Sequence, residues 1–285
     1  MSHEVGISVL MTTYNRERYV RQAIDSVLQS SFQNFELIVV DDGSSDKTVP
    51  IVQAMAADDE RIKLHINPSN LGDYPNRNQA ASHAKGKYLK YVDADDLIYP
   101  WGLQVLWESM EKFPHAGWGL CSLAQDRSRI FPFELSPAEA YRYHYLGPRL
   151  FHKAPLSSII RKTLFDQVGG FEPFSHAGDF AMWHKLARHS PVVCMNQGVV
   201  WYREHDDQSS NTQHLHGDQY KRIERRYLND PETPLSQDEL NRIHTNKRRQ
   251  YRKSLALNLA KGNFSQAGAQ VKEMRALKPF IKRTS

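Results

Sequence analysis

Short apolar runs alternate with amphipathic segments over the first hundred residues of the chain. Apolar or strictly alternating runs predict strands, and apolar residues at three- and four-residue spacing predict helices that bury one face. The predicted strands cover residues 7–11, 36–40, 62–66 and 88–92. The predicted helices cover residues 20–28, 51–55 and 76–84. This order is typical of a parallel sheet with helices on its faces, so we expect an α/β fold.

The second half of the chain has a less regular pattern. Further strands are predicted at residues 118–122, 157–160 and 192–195, and helices at residues 101–113 and 180–188. Two segments, Ser136–Glu139 and Ser236–Glu239, have the capping-box form and predict helix starts. Apolar positions between residues 255 and 277, on both sides of Lys261-Gly262-Asn263, predict a helical hairpin at the end of the chain.

Polar clusters follow three of the first four predicted strands. They occupy residues 12–15, 41–46 and 93–96. The carboxyl ends of parallel strands meet at one edge of a sheet, and ligands of such sheets bind there. The clusters therefore predict a nucleotide-type site on the first hundred residues.

Composition restricts the class of protein. The chain has 285 residues, of which 40% are hydrophobic and 24% charged, which excludes a disordered chain or a collagen-like repeat. Its two cysteines are too few for a disulfide framework and favour a reducing compartment. No apolar run approaches the roughly 18 residues of a membrane span, and no signal-peptide pattern is present. We expect a soluble cytoplasmic protein, or one peripheral to a membrane.

Positive charge is concentrated at the carboxyl-terminal end. Residues 215–285 contain 16 basic and 7 acidic residues, whereas residues 1–214 contain 21 basic and 25 acidic residues. The basic segment could be a solvated helical face, or it could attract a membrane leaflet, an acidic polymer or nucleic acid. Composition alone leaves these alternatives open.

Asp93 and Asp95 are the strongest candidates for chemistry. If the chain stays extended after the fourth strand, both carboxylates project to one side. Oxygen ligands of this kind suit Mg²⁺ or Mn²⁺, which shares its coordination with substrate phosphates. Such a cation would neutralise the charge that develops on a departing diphosphate. The alternative is a helix N-cap, a role that Asp96 alone could fill for the following segment.

The other two clusters also have two interpretations. The run from Asp41 to Asp46 could be only a turn and a cap, or it could accept hydrogen bonds from a ribose or a base edge. Tyr14 could stack on a base or be an ordinary half-buried tyrosine. The aromatic stretch at residues 125–155 could similarly form a sugar-stacking wall, an acceptor lid or a packing segment. Its aromatic residues are Phe131, Phe133, Tyr141, Tyr143, Tyr145 and Phe151.

The first half of the chain resembles the family 2 glycosyltransferases. The resemblance rests on ISVLMTTYNRERYVRQAIDSVLQSSFQNFELIVVDDGSSDKT followed by NLGDYPNRNQAASHAKGKYLKYVDADD. It covers residues 5–120 closely and residues 155–210 more loosely. It implies a GT-A fold, a Rossmann-like, mostly parallel sheet flanked by helices, which binds a nucleotide-sugar and a divalent metal ion.

The resemblance assigns roles in the nucleotide site. Thr12, Tyr14 and Asp42 match positions that hold the nucleobase, usually uracil, although guanine or thymine stays open. We add Asn15, from the same cluster, to the expected nucleotide-sugar site. Asp93 matches the carboxylate on the ribose side. Two further matches are Arg77, near the nucleotide, and Asp95, a ligand of Mn²⁺ or Mg²⁺.

The resemblance also names a catalytic base. Asp179 matches the aspartate that removes the acceptor proton in a single inverting displacement, although many members have Glu where this chain has Gly178. At the start of a helix, the dipole would favour the ionised form of Asp179 and lower its pKa. His205 matches a histidine that contacts the metal or the diphosphate in some members.

These residues give an expected organisation and expected partners. Residues 1–214 would form the GT-A catalytic domain, with a nucleotide-sugar-binding half (1–120) and an acceptor-side half (121–214), followed by a basic helical segment (215–285). The partners would be a nucleotide-sugar and a glycan or lipid-linked acceptor. The basic segment could bind an anionic membrane on its inner face or mediate self-association. We do not expect nucleic acid.

Two other functional classes compete with a glycosyltransferase. A sugar-phosphate nucleotidyltransferase would carry a glycine-rich loop after the first strand, but residues 12–18 contain no glycine. A non-catalytic relative that binds nucleotide or glycan would have lost the D-x-D or the base, and this chain retains both.

Overall fold

A computed structural model of the protein describes residues 4–174, 176–205 and 217–264, with a few residues between 268 and 274. In that part, the strands are β1 (Ile7–Thr13), β2 (Phe35–Asp41), β3 (Ile62–Ile66), β4 (Tyr88–Tyr91), β5 (Leu97–Ile98), β6 (Trp118–Leu123), β7 (Phe133–Leu135), β8 (Ser158–Arg161), β9 (Val192–Asn196) and β10 (Val200–Trp201). The helices are α1 (Val20–Leu28), α2 (Thr48–Asp58), α3 (Asp73–Ser82), α4 (Gly102–Lys112), α5 (Pro137–Leu146), α6 (Lys162–Val168), α7 (Gly178–His189), α8 (Gly217–Leu228) and α9 (Gln237–Ala260).

Eight of these strands form one mostly parallel sheet, which confirms the expected fold class. Their order is β3-β2-β1-β4-β8-β6-β9-β7. The first four run parallel, with Ile7 of β1 in register with Phe35 of β2 and Tyr88 of β4. β8 is inserted antiparallel between β4 and β6, and β7 is antiparallel to β9. β5 and β10 pair separately.

The sheet has an apolar core on each face. Successive side chains of a strand point to opposite faces, so Leu10 of β1 packs into one core while Val9 and Met11 pack into the other. Residues of α1, α2 and α4 cover the core that contains Val9. Residues of α3, α5, α7, α8 and α9 cover the core that contains Leu10. Both faces of the sheet are therefore covered, as a parallel sheet requires.

The expected helical carboxyl-terminal appendage is confirmed. Both capping boxes form: Ser136 caps α5 and Ser236 caps α9, each paired with a glutamate three residues later. Ile223 of α8 and Ile243 of α9 are buried in the core that contains Leu10. The domain boundary at 214/215 lies outside the described residues and stays a prediction, as does most of the second arm of the hairpin.

The aromatic stretch between residues 125 and 155 serves largely as packing. Tyr141 and Phe151 are fully buried, with ring centroids 5.7 Å apart. Phe131 stacks on Phe133 at 5.2 Å. Phe151 also borders the cleft described below, so this residue is compatible both with packing and with a wall that contacts a sugar.

Cys121 and Cys194 are buried free thiols. No helix in the described part of the chain combines the length and apolar character needed to cross a membrane.

Candidate active site

A cleft of about 580 Å³ opens at the carboxyl ends of β1, β2 and β4. The three polar clusters meet there because these strands are parallel neighbours in the sheet. The first half of the chain contributes Thr12, Thr13, Tyr14, Arg16, Asp42, Asn70, Gly72, Asp73, Tyr74, Asn76, Arg77 and residues 93–96. The second half contributes residues 151–155, His176, Ala177, Asp179, Phe180, Tyr202 and Tyr220.

The D-x-D aspartates lie in a turn, so the assumption of an extended chain is wrong. β4 ends at Tyr91, and the backbone N–H of Asp96 donates to the carbonyl of Asp93 at 3.0 Å. The turn gives the carboxylates different partners. Asp93 accepts from Arg77 at 2.7 Å, whereas Asp95 Oδ2 lies 2.9 Å from Arg16 Nε. Both aspartates nevertheless border the cleft.

The expected N-cap role of Asp96 is also wrong. A strand, β5, follows the D-x-D, and α4 begins at Gly102 without a side-chain cap. The Asp96 carboxylate instead accepts the backbone N–H of Arg203 at 2.9 Å. Burial, reinforced by Asp93, raises its pKa to about 8.

Arg77 is a buried cation that joins two acidic residues of the cleft. It lies on α3 and pairs with Asp73 at 2.8 Å and with Asp93 at 2.7 Å. Burial opposes its charged form, but both carboxylates raise the pKa of the guanidinium. Burial also raises the pKa of Asp93, and Arg77 counteracts that rise. This pair positions the Asp93 side chain at the edge of the cleft.

The aspartates of the Asp41–Asp46 run have different roles. Asp41 accepts the backbone N–H groups of Gly43 and Ser44, and Asp46 accepts that of Thr48 at the start of α2. These two make the turn and the helix start. Only Asp42 borders the cleft, and its buried carboxylate accepts three hydrogen bonds. The donors are Asn67 Nδ2 at 2.8 Å and the backbone N–H groups of Leu71 and Gly72, both at 2.9 Å.

The structure separates the residues of the first polar cluster. Thr12 and Tyr14 border the cleft, and 47% of the Tyr14 surface is exposed, which leaves a flat ring available to a ligand. Asn15 is not among the cleft residues. Its side-chain oxygen accepts the backbone N–H of Ser45 at 2.9 Å, and its φ of 52° is a left-handed conformation that asparagine tolerates. This placement ties Asn15 to the neighbouring loop.

Asp179 also borders the cleft, in the first turn of α7. Its Oδ1 accepts the N–H of Phe180 at 2.7 Å and lies 3.4 Å from the hydroxyl of Tyr74. The expectation of a low pKa is wrong, because burial outweighs the stabilisation by the Phe180 N–H. Burial raises the pKa of Asp179 from 3.8 to about 6. The carboxylate is thus a stronger base than usual, yet largely ionised at neutral pH.

Gly178 has a steric reason to lack a side chain. A Cβ at this position would lie 2.6 Å from the ring of Tyr74, far inside normal contact distance. The space of a side chain at 178 is therefore filled by the tyrosine that contacts Asp179.

The donor atoms that could hold a divalent cation belong to Asp95 and His205, whose Oδ2 and Nε2 atoms are 3.1 Å apart. The same Oδ2 accepts from Arg16 Nε at 2.9 Å, and His205 is not among the residues that border the cleft. The described residues contain no group of three or more His, Cys, Asp or Glu side chains that could hold a metal alone. Two protein ligands match a cation that completes its coordination with phosphate oxygens and water.

The sequence patterns did not single out four residues that shape the site. Arg16 pairs with Asp95, Tyr74 contacts Asp179, and Arg203 donates to the carbonyl of Asp95 at 2.7 Å. Asp73 pairs with Arg77. The i,i+4 spacing of Asp73 and Arg77 on a helix was the one available signal. The other contacts join residues far apart in the chain.

The order of the strands and the position of the cleft define a GT-A fold. The chain is similar to the crystal structure of residues 1–349 of S. aureus TarS in complex with UDP-GlcNAc, with a TM-score of 0.66 and 21% identity. That match covers 84% of this chain and 70% of the TarS chain.

Residues 8–169, more than half of the chain, match the sequence model of Glycosyl transferase family 2, and the protein belongs to this family. It is 44% identical over 92 residues to an uncharacterized glycosyltransferase of Haemophilus influenzae, a match that spans 32% of this chain and 37% of that protein. It is 26% identical over 222 residues to the UDP-Glc:alpha-D-GlcNAc-diphosphoundecaprenol beta-1,3-glucosyltransferase WfgD of Escherichia coli. That match covers 78% of this chain and 83% of WfgD.

Proposed function

We propose that the protein is an inverting glycosyltransferase that transfers a sugar from a UDP-sugar to a hydroxyl group of a lipid-linked glycan. One observation carries the proposal: a single cleft is bordered by Asp42, Asp93 and Asp95 from the first half of the chain and by Asp179 from the second half. The first group has the chemistry to hold a nucleotide diphosphate, and the last can accept a proton.

The donor nucleotide belongs on the side of the cleft formed by the first half of the chain. Tyr14 offers an aromatic face to the base, and Thr12 and Asp42 offer polar atoms to its edge. Asp93, held by Arg77, offers a carboxylate to the ribose hydroxyls. WfgD uses UDP-Glc and the TarS structure contains UDP-GlcNAc, so uracil is the base that we propose.

Asp179 acts as the base in this proposal. It removes the proton of the acceptor hydroxyl while that oxygen bonds to the anomeric carbon, and the bond from that carbon to the diphosphate oxygen breaks on the opposite face. A single displacement of this kind inverts the anomeric configuration. With a pKa of about 6, the carboxylate is mostly ionised at pH 7 and close to the optimum for a base at that pH.

Asp95 and His205 would hold the divalent cation. When bound, Mn²⁺ or Mg²⁺ would supply positive charge to the leaving diphosphate. Arg16 would add further positive charge at this place, because its Nε lies 2.9 Å from the Asp95 carboxylate.

The acceptor is proposed from the chemistry of a relative. WfgD acts on a GlcNAc-diphosphoundecaprenol, a sugar held at a membrane by its lipid. We propose a comparable acceptor, and hence a cytoplasmic enzyme that works at the inner membrane face. The basic α8 and α9 would favour an anionic surface there.

A thermal-shift panel of UDP, GDP, dTDP and their sugars, with and without Mn²⁺, tests the donor and the metal. A ligand at a hundred times its Kd adds about 2.7 kcal/mol of stability. We expect UDP compounds to give the largest shift and Mn²⁺ to increase it. Asp95→Asn should lose the Mn²⁺ increment, whereas Asp58→Asn, at an exposed position on α2, should behave as wild type.

Transfer assays then test the base. Asp179→Asn should retain the UDP-sugar shift and lose turnover, because only the proton acceptor is removed. No shift with any UDP compound would contradict the donor assignment, and full transfer by Asp179→Asn would contradict the base assignment.

A further inference from the structure

Three aromatic rings lie together beside Asp179 on the second-half side of the cleft. His152 stacks on Phe180 with a centroid distance of 4.9 Å and an interplanar angle of 23°. Tyr220 packs against the same phenyl ring at 5.1 Å, and lies 6.0 Å from His152 at an angle of 29°. All three border the cleft. We call His152, Phe180 and Tyr220 the aromatic platform.

The rings of the platform differ in exposure. Phe180 is buried with 1% of its surface exposed, so it supports the other two from behind. His152 is exposed and Tyr220 is partly exposed, so both offer ring surface to a ligand in the cleft. Desolvation on the packed side, aided by Arg149, lowers the pKa of His152, which favours the neutral imidazole.

The carboxyl-terminal segment supplies Tyr220 to the platform. α8 is anchored on the body by buried Ile223 and by Tyr227, whose ring stacks on His184 of α7 at 5.0 Å. Arg226 of α8 also pairs with Glu172 at 2.5 Å. The match to the family model ends at residue 169, so both Phe180 and Tyr220 lie beyond it.

The position of the platform relative to Asp179 is fixed by one helix. Phe180 follows Asp179 in α7, and its backbone N–H donates to the Asp179 carboxylate at 2.7 Å. A ring lying on the platform is therefore next to the proposed proton acceptor. The polar groups proposed for the nucleotide come from residues 12–95, whereas the platform comes from the second half of the chain.

We propose that the aromatic platform is the acceptor subsite and that it binds a pyranose with an apolar face. The inference rests on the proposed function, since it assigns the second substrate of that reaction. The C–H groups on one face of a pyranose pack against flat aromatic rings, while hydroxyl groups point outward from its edge. A sugar held in this way directs an edge hydroxyl to Asp179.

Saturation-transfer difference NMR tests the subsite with methyl glycosides of glucose, galactose and N-acetylglucosamine, in the presence of saturating UDP. The wild type should saturate the ring C–H protons of at least one glycoside. Tyr220→Ala and His152→Ala should each weaken its affinity about tenfold, the scale expected for loss of one aromatic contact. Tyr220→Phe should bind as wild type, because the aromatic face is retained.

The control is Tyr99→Ala. Tyr99 is a partly buried tyrosine that stacks on Trp101 at 5.0 Å and does not border the cleft, so its loss should leave glycoside binding unchanged. UDP thermal shifts on every variant separate the two proposals. If UDP fails to stabilise the wild type, the proposed function fails. If UDP binds but no glycoside is saturated, or if the alanine variants at 152 and 220 bind glycoside as wild type, the platform inference alone is overturned.

Discussion

Asp179→Asn is expected to stabilise the fold at neutral pH while it removes turnover. Burial raises the pKa of Asp179 from 3.8 to about 6, so the folded chain holds an ionised carboxylate at a cost. That difference corresponds to about 3 kcal/mol. The N–H of Phe180 and the hydroxyl of Tyr74 still have an amide oxygen to donate to, although these bonds are weaker without the charge. We therefore expect a net gain of about 1–3 kcal/mol.

The pH dependence of this gain follows from the direction of the pKa change. A carboxyl group with a higher pKa in the folded than in the unfolded chain binds its proton more tightly when folded. The destabilisation by Asp179 is therefore complete above pH 6 and absent below pH 3.8. Asparagine has no such dependence, so the gain should be about 1.4 kcal/mol smaller at pH 5 than at pH 8.

Urea unfolding of both proteins at pH 5, 6, 7 and 8 measures the gain directly, because contributions common to both proteins cancel in the difference. Asp58→Asn, which removes an exposed carboxylate, should show no comparable change. The reasoning is refuted if Asp179→Asn is no more stable than wild type at pH 8, or if its gain is the same at every pH. The wild-type kcat/KM should also rise with pH, with a midpoint near 6.

Three further substitutions test the surroundings of the cleft. Arg77→Gln should cost about 1–3 kcal/mol in urea unfolding, because the charged hydrogen bonds of the buried guanidinium to Asp73 and Asp93 are lost; a variant as stable as wild type would contradict this. Tyr74→Phe should move the midpoint of the kcat/KM profile upward, because its hydroxyl lowers the pKa of Asp179; an unchanged or lower midpoint would count against the contact. Gly178→Ala should destabilise the protein by about 1–3 kcal/mol through the clash with the Tyr74 ring; Gly217→Ala, with open space around it, is the matched control.

Much of the fold could be predicted because burial has a period that the sequence displays. α1 and β3 have the predicted bounds, since apolar residues at the helical period and alternating residues mark the buried positions. The helix predicted over residues 51–55 begins earlier, at Thr48, and Pro50 lies in its first turn, where the missing N–H of proline has no helical partner to lose. The antiparallel insertion of β8 has no local signature, because strand order is determined by packing between distant segments.

The candidate site was predictable in its location but not in its contacts. Parallel neighbours bring their carboxyl ends together, so the three polar clusters had to meet. The partners of each carboxylate depend on contacts across the chain. Arg16 and Asp95 are 79 positions apart, and no motif records that they pair. The turn at the D-x-D separates its two aspartates onto different cations, Arg77 and Arg16, which an extended chain would not have done.

The basicity of Asp179 shows how the two halves of the chain determine one property together. Its helix start would lower the pKa, and this local effect is all that the surrounding sequence can indicate. Burial within the folded chain raises the pKa instead, and Tyr74, 105 positions earlier, partly offsets that rise with a hydroxyl 3.4 Å from the carboxylate. The Tyr74 ring fits only because residue 178 has no side chain, so Gly178 is what allows Tyr74 to approach. The glycine at 178 and the tyrosine at 74 are therefore one structural adjustment, which places a hydroxyl group against the proposed base.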